Sequence, residues 1–531
     1  MRALIVAAGI LIGLALPTAA LGATQIVVQG TTDTRDAGLV DDVIVPGFQK
    51  AYPQYTLQYI AVGTGQALTN AKAGQGDAVM THAPSLEADF VAQGYSYEPV
   101  GRAVMYSDYV MAAHDADPAA VAAGARHDAV RALELIATAG LAGNAVFVSR
   151  GDNSGTNVQE QIIWGLTSGV PLHPVGTAGS GRMEPDGNGD GTGTDVPAWY
   201  KKAGVGQAAT LKVAEQCNFA PAPANACYAL TDRGTFHRQI STGAVAGMKI
   251  VSDENDPNAR GGTTLLLNPF SVYAVNPEKV PSVKLQGALA FLDYMTSPEF
   301  QSRLNSFPNA QQQAFFPDAF PLIAPTSRPP RSIRAGRRVT FAGTMTNQLP
   351  AAPALAGAPL AIDLSLGISS SPFGPLSAGF KTLRRGKTGA DGAYRLTAAP
   401  TRNGALRVRT PRMGSLSPTT LTLGNVHVRG VARLTRVRRL GDGRVRVSGR
   451  LAPRAQGRRS RAVLLGRLIG AGATAAAPRL HVLKRQRLRR GQGRFSITKR
   501  LRTGRWTLRV SYVQPGITDK GNSRVRTVSV R

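Results

Sequence analysis

Acidic side chains almost vanish from the last part of this 531-residue chain. From Arg328 onward there are four (Asp363, Asp391, Asp442 and Asp519) against 43 lysines and arginines, a net charge of +39. The residues before Arg328 carry −9, so the overall +30 conceals a mildly acidic front and a strongly basic back. That split excludes one uniform functional unit and implies two. Cysteine is also scarce: the only two, Cys217 and Cys227, exclude a disulfide-dense scaffold and a cysteine-rich zinc site. The seven histidines are scattered, with none paired at metal-ligand spacing, so neither a metal nor a cofactor is expected. No G-x-S-x-G elbow occurs, and "GKT" at 386–388 lacks the glycine five positions earlier that a phosphate-binding P-loop needs. Nothing pairs a nucleophile with a base. The expectation is a protein that is not an enzyme.

Long apolar runs are missing too, apart from the start. Arg2, the run "ALIVAAGILIGLAL" and the small residues of "PTAALGA" form the three regions of a signal peptide over residues 1–23. The chain is therefore expected to be secreted or extracytoplasmic. In an oxidising compartment Cys217 and Cys227, which flank the Pro-rich "NFAPAPANA", are expected to form a disulfide.

What is present from residue 24 to about 325 is an alternation of strand and helix patterns. "TQIVV", "YTLQYIAV", "DAVMTHA", "AVFVS" and "SVYAV" read as strands, and "AVMYSDYVMAA" is long enough to cross between two lobes. "SLEADFVAQG", "DAVRALELIATAG", "NVQEQIIWGL" and "LQGALAFLDYMTSPEFQSRL" read as helices. In "GLVDDVIVPGFQKAY", Leu39, Val43, Ile44 and Phe48 share one face and Pro46 should kink it. Such alternation predicts an α/β architecture with mostly parallel sheets, whose ligands gather where strands hand over to helices. Four of those loops share one chemistry: "GTTDTRDAG" (30–38), "VGTGQA" (62–67), "SRGDNSGT" (149–156) and "TDRGT" (231–235). Hydroxyls, glycine N–H groups and arginine at helix N-termini suit an oxyanion. "SRGDNSGT" also reads as a helix cap, with Thr156 and Gln159 as a capping box. "PDGNGDGTGTD" (185–195) imitates a calcium loop, but Pro197 stands where the twelfth-position Glu belongs, so it reads as a flexible insertion.

Beyond "APTSRPPRS" apolar and basic residues alternate, as in "RVRVSGRL" and "WTLRVSYV". "VTFAGTM" (339–345) recurs as "VRVSGRL" (445–451), and "GAYRLTAAPTRNGALRVR" (392–409) as "GRFSITKRLRTGRWTLRV" (493–510). Two tandem, Ig-like antiparallel β-sandwiches are predicted, over 326–426 and 427–531.

The ordered motifs "TTDTRDAGL", "VGTGQAL", "THAPSLEADFVAQGY", "SRGDNSGT", "TDRGTF" and "NPEKVP…ALAFLDYMTSPEFQ" resemble the tungstate-binding solute-binding proteins of ABC importers, over residues 24 to 310. The resemblance implies a two-lobed periplasmic-binding-protein (type II) fold. It implies a tetrahedral oxyanion, tungstate or molybdate, held without metal and delivered to an ABC permease by a monomer. Carried over by motif, the binding residues are Thr31, Thr32 and Asp33, Thr64 and Gly65, Ser149, Arg150, Ser154 and Thr156, with Asp232 and Arg233 near the other wall. One departure stands out. The family's first loop reads Thr-Thr-Thr-Ser before Asp-Ser-Gly-Leu, whereas this chain has Gly30 and Asp33 at the ends of that quartet. A carboxylate facing a dianion repels it. Either Asp33 points away, pairs with Arg35, or meets an anion that carries a proton. Two other readings compete: an envelope protein whose basic β-domains bind phosphate or acidic cell-wall polymers without specific nucleic-acid recognition, and a phosphate-ester hydrolase, which the missing catalytic groups disfavour.

Overall fold

The computed structural model describes residues 22–219, 223–309, 312–349, 353–365, 379–469 and 480–531. The expected signal peptide, residues 1–23, lies almost wholly outside the described residues. The chain divides into two units, residues 1–101 with 107–316 and residues 102–106 with 317–531. The division after Phe316 replaces the expected boundary near residue 325. The strand Leu322–Pro325 pairs antiparallel with Val339–Thr346 and so belongs to the β-rich part.

The first unit alternates as its sequence predicts. β1 (Thr24–Thr31), α1 (Thr32–Asp36), α2 (Val45–Ala51), β2 (Tyr55–Val62), α3 (Thr64–Lys72), β3 (Ala78–Thr81) and α4 (Pro84–Ala92) open it. β4 (Arg102–His114), α5 (Val121–Gly124), α6 (Ala129–Leu141), β5 (Val146–Ser149) and α7 (Gly155–Trp164) follow. A hairpin of β6 (Leu172–Pro174) and β7 (Met183–Pro185) precedes β8 (Tyr200–Lys202), α8 (Gln207–Gln216), β9 (Cys227–Asp232), α9 (Arg233–Ser241) and β10 (Met248–Ser252). β11 (Leu267–Ala274), α10 (Leu285–Met295) and α11 (Pro298–Leu304) close it. The strands line up as β2-β1-β3-β11-β4-β9-β5-β8, with β10 also on β4. β1–β2, β1–β3, β5–β9 and β5–β8 are parallel, while β11 runs antiparallel to β3, and β4 antiparallel to β9 and β10. β3, β5 and β9 are buried along their whole length, which is why they read as unbroken apolar runs rather than alternating ones.

Local sequence accounts for the details. Asp128 and Ser297 cap α6 and α11 by accepting from the N–H three residues on. Pro46 acts upstream of itself: residues 40–44 form a π-helical turn before α2 begins, because proline has no N–H and its ring crowds the carbonyl four residues back. Phe147, Trp164, Trp199 and Tyr200 interlock at the centre of one core, with ring centroids 5.6–6.3 Å apart. Cys217 and Cys227 are disulfide-bonded, tying the end of α8 to the start of β9. In the calcium-like loop, Asp186 and Asp190 accept from backbone N–H groups of 188, 191 and 192, so the carboxylates serve the loop itself. No group of metal-ligating side chains occurs among the described residues.

The second unit is all β and repeats as the sequence does. Val339–Thr346 is the middle strand of one three-stranded sheet, and Arg444–Ala452 that of another. Each packs against half of a ten-stranded sheet, around its own core. One core holds Phe341, Ile362, Tyr394 and Val408, and the other Val447, Leu464, Phe495 and Tyr512. The paired apolar positions face inward and the arginines outward, as alternation requires.

Candidate functional site

The four loops with one chemistry leave the carboxyl ends of β1, β2, β5 and β9 and lead straight into α1, α3, α7 and α9. β1 and β2 are parallel with Thr31 opposite Val62, so Thr31 and Thr64 leave adjacent strand ends. Both hydroxyls are fully buried and have no hydrogen-bond partner among the described residues. Arg150 is 2 % exposed. Its Nη1 donates to Thr32 Oγ1 (3.1 Å) and to Gln207 Oε1 (3.0 Å), and its Nη2 to Asp152 Oδ2 (2.6 Å). Its Nε keeps no partner. Two hydroxyls and one guanidinium N–H are thus buried, unspent donors. Leaving such groups unpaired costs about 1–3 kcal/mol each, which an acceptor at this place would recover.

The loops close on one another. Gly65 N donates to Asn153 O at 3.3 Å, and a Cβ at position 65 would fall 2.6 Å from Asn153 Nδ2. Asn153 is in turn held by Arg182, whose Nη2 donates to its Oδ1 (2.8 Å) while Nε donates to Gln161 Oε1 (2.7 Å). Arg182 and Gln207 were not singled out by the sequence. Gln207 opens α8, and its Oε1 also accepts from Thr156 Oγ1 (2.9 Å).

Three expected ligands have structural duties instead. Ser154, not Thr156, caps α7: its hydroxyl accepts from Asn157 N, and Gly155 begins the helix. The capping-box reading of Thr156 and Gln159 is corrected accordingly. Ser149 donates to Glu160 Oε2 (2.7 Å) and accepts from Gly151 N and Asn157 Nδ2. Arg233 does not present a free cation. It grips Asp108 through Nε and Nη2 (2.6–2.9 Å) and reaches Asp253 at 3.3 Å, and those charges raise its pKa further.

Asp33 is fully buried and does not pair with Arg35, which reaches Asp41 (3.6 Å) and lies over the Tyr59 ring. Its partner is His82, with Oδ2 3.3 Å from Nε2, and its Oδ1 accepts from Thr34 N. His82 Nδ1 lies 2.7 Å from Asn268 Oδ1, which also accepts from Tyr109 (2.9 Å). An oxygen that only accepts fixes the proton on Nδ1, so Nε2 is left facing the carboxylate. The ring stacks on Phe270 and lies against Gly155, where a Cβ would fall 2.5 Å from His82 Cε1; only glycine leaves it room. Histidine spacing alone does not single out His82. Its place at the end of β3, among the same loops, was the signal that could have found it.

Burial raises the pKa of two other carboxyls here, Asp232 and Asp36. Asp232 caps α9 through Thr235 N (2.8 Å), and burial, reinforced by the charge of Asp33, pushes its pKa well above the carboxylate range. Burial likewise raises Asp36, which accepts from Ala208 N. The arrangement can hold an oxyanion by hydroxyls, a guanidinium N–H and helix N-termini.

Comparisons with known proteins agree in extent and kind. The profile of the PBP superfamily domain matches residues 17–299. A tungstate-binding protein, TupA, from Peptoclostridium acidaminophilum is 30% identical over 283 residues, covering 53% of this chain and 81% of that protein. The tungstate-binding protein TupA of Campylobacter jejuni is 27% identical over 286 residues, 54% of this chain and 88% of its own length. Among solved structures, the tungstate ABC transporter protein of Geobacter sulfurreducens shares 35% identity, covering 52% of this chain and 95% of that chain with a TM-score of 0.39.

Proposed function

Starting from the fact that this chain belongs to the PBP superfamily, and within it to the family of those tungstate-binding relatives, we propose that it is an extracytoplasmic solute-binding protein. It captures a tetrahedral oxyanion, tungstate or molybdate, and hands it to an ABC permease. It performs no chemistry on its cargo. The observation that carries this reading is the set of buried, unspent donors, Thr31 Oγ1, Thr64 Oγ1 and Arg150 Nε, beside helix N-termini.

Asp33 is oriented by its neighbours in this reading: Oδ1 accepts from Thr34 N, and Oδ2 lies 3.3 Å from His82 Nε2. Release requires the Gly65–Asn153 contact to part, so loading and unloading follow opening of the cleft.

Thermal shift of the mature chain tests the reading. Tungstate and molybdate at a hundred times their Kd are expected to stabilise it by about 2.7 kcal/mol, with sulfate and phosphate giving far less. Stabilisation by phosphate and not by tungstate overturns the ligand. No stabilisation by any of the four overturns the function.

A further inference from the structure

The basic β-unit has no part in the proposed site, yet it concentrates charge in one place. Two of its loops, 453–460 and 488–493, are fastened together by backbone hydrogen bonds. They run from Ala455 N to Gln492 O (3.0 Å), from Gly491 N to Ala455 O (2.7 Å) and from Leu488 N to Ser460 O (3.0 Å). Gln456 N also donates to Gln514 Oε1, and Leu488 is buried, so the loops are held to the sandwich. Between them lies an open hollow of about 730 Å³ lined by Gln456, Arg458, Arg487, Leu488, Arg489 and Arg490. Four exposed arginines surround it, and no carboxylate does.

The four acids from Arg328 onward are engaged away from the hollow, and Asp318 is buried. Asp363 is taken by Arg407 and Arg409, Asp519 lies by His427, Asp442 by Arg444, and Asp391 accepts from Ala393 N. The pattern continues on the neighbouring three-stranded sheet, where register places Arg433, Arg450 and Arg494 side by side in one exposed row. Like charges directly opposite one another destabilise a sheet, so the sequence keeps here a repulsion that an anion would remove.

We propose that this second β-sandwich binds a linear phosphodiester polymer without nucleobases, with Arg458, Arg487, Arg489 and Arg490 gripping its phosphates. Arginine supplies 38 of the 43 basic residues after residue 327, and its planar fork matches phosphate two bonds at a time where lysine offers a point charge. A polymer fits better than a single ion because the hollow is open and the arginines continue beyond it. Nucleic acid fits less well. Sites for single strands stack bases on aromatic rings, and no ring lines this hollow.

The test measures binding of the full chain to polyglycerol phosphate across a salt series. Polyglutamate, single-stranded DNA and phosphatidylglycerol vesicles serve as competing partners. The quadruple variant Arg458→Gln/Arg487→Gln/Arg489→Gln/Arg490→Gln is compared with Arg331→Gln/Arg334→Gln/Arg337→Gln/Arg338→Gln, which loses the same charge from exposed positions elsewhere. The first is expected to flatten the log–log salt slope by about 3, at roughly 0.7 per phosphate contact, and to weaken binding at least about tenfold at low salt. The second should stay within about threefold of the parent. Equal losses in the two variants overturn the hollow as the site. Tighter binding to DNA, vesicles or polyglutamate overturns the polymer, and no binding at all overturns the proposal.

Discussion

Arg150 holds two roles in one side chain. Its Nη groups fasten Thr32, Gln207 and Asp152, and its Nε is left to bind. Arg150→Ala should therefore weaken tungstate binding by about 2–4 kcal/mol in calorimetry, the scale of a charge-assisted contact. Arg150→Lys keeps the charge without the fork and should fall between. Wild-type affinity in Arg150→Ala removes the residue from the site. Asp33 makes the opposite prediction. Because its partner is His82 rather than the ligand, Asp33→Ser should leave the preference for tungstate over phosphate unchanged. It should instead lower folding stability by about 1–3 kcal/mol, as loss of the buried acceptor of Thr34 N does. Competition titration alongside urea denaturation separates the two, and a large change in anion preference sinks this assignment.

Among the elements, β9 and α9 are the ones whose placement is tied covalently. The disulfide joins the end of α8 to Cys227 at the start of β9, whose far end is Asp232, the cap of α9. Closing a loop of ten-residue separation restricts the unfolded chain by about 2–3 kcal/mol. The double substitution Cys217→Ser/Cys227→Ser should lose that much in denaturant unfolding while retaining anion binding, since neither sulfur lies among the binding groups. Intact mass showing two free thiols in the exported protein contradicts the bond itself. Of the site's helices, α7 is legible in the run "NVQEQIIWGL". Its first residue is not, because Ser154 and Thr156 are equally good caps in sequence and only the folded chain makes Ser154 the cap.

For the whole molecule, buried carboxyls set how stability follows pH. Glu160 accepts from Ser149, Tyr200 and Trp164 inside the first unit, and burial lifts its pKa to about 7. Asp36, Glu87 and Asp232 are raised for the same reason. A carboxyl that titrates higher when folded binds more protons in the native state than in the unfolded one. Stability is then greatest below the unfolded pKa and falls as pH rises towards 7. For Glu160 alone the fall between about pH 4.5 and pH 7 is about 3 kcal/mol. Melting temperature should decline across that window, and Glu160→Gln should flatten the decline; a melting temperature rising from pH 5 to pH 7 contradicts it.

Composition and pattern settled a good deal by themselves. The charge break, the α/β alternation, the tandem β repeat and the four loops of like chemistry are all properties of residue order, legible without knowing which remote segments touch. Strand–helix order, in turn, places those loops where strands hand over to helices, and the resemblance to tungstate-binding proteins implies Thr31, Thr64 and Arg150 within them. What only the tertiary structure decided is how each polar group is spent. Ser149, Arg233 and Asp33 look like ligands in sequence, yet each is consumed by a partner 11, 125 or 49 positions away: Glu160, Asp108 and His82. The reason is physical. A buried polar atom takes whichever complementary atom packing brings within about 3 Å, and such distances between remote segments are set by the assembled sheet, not by the residues beside it in the chain.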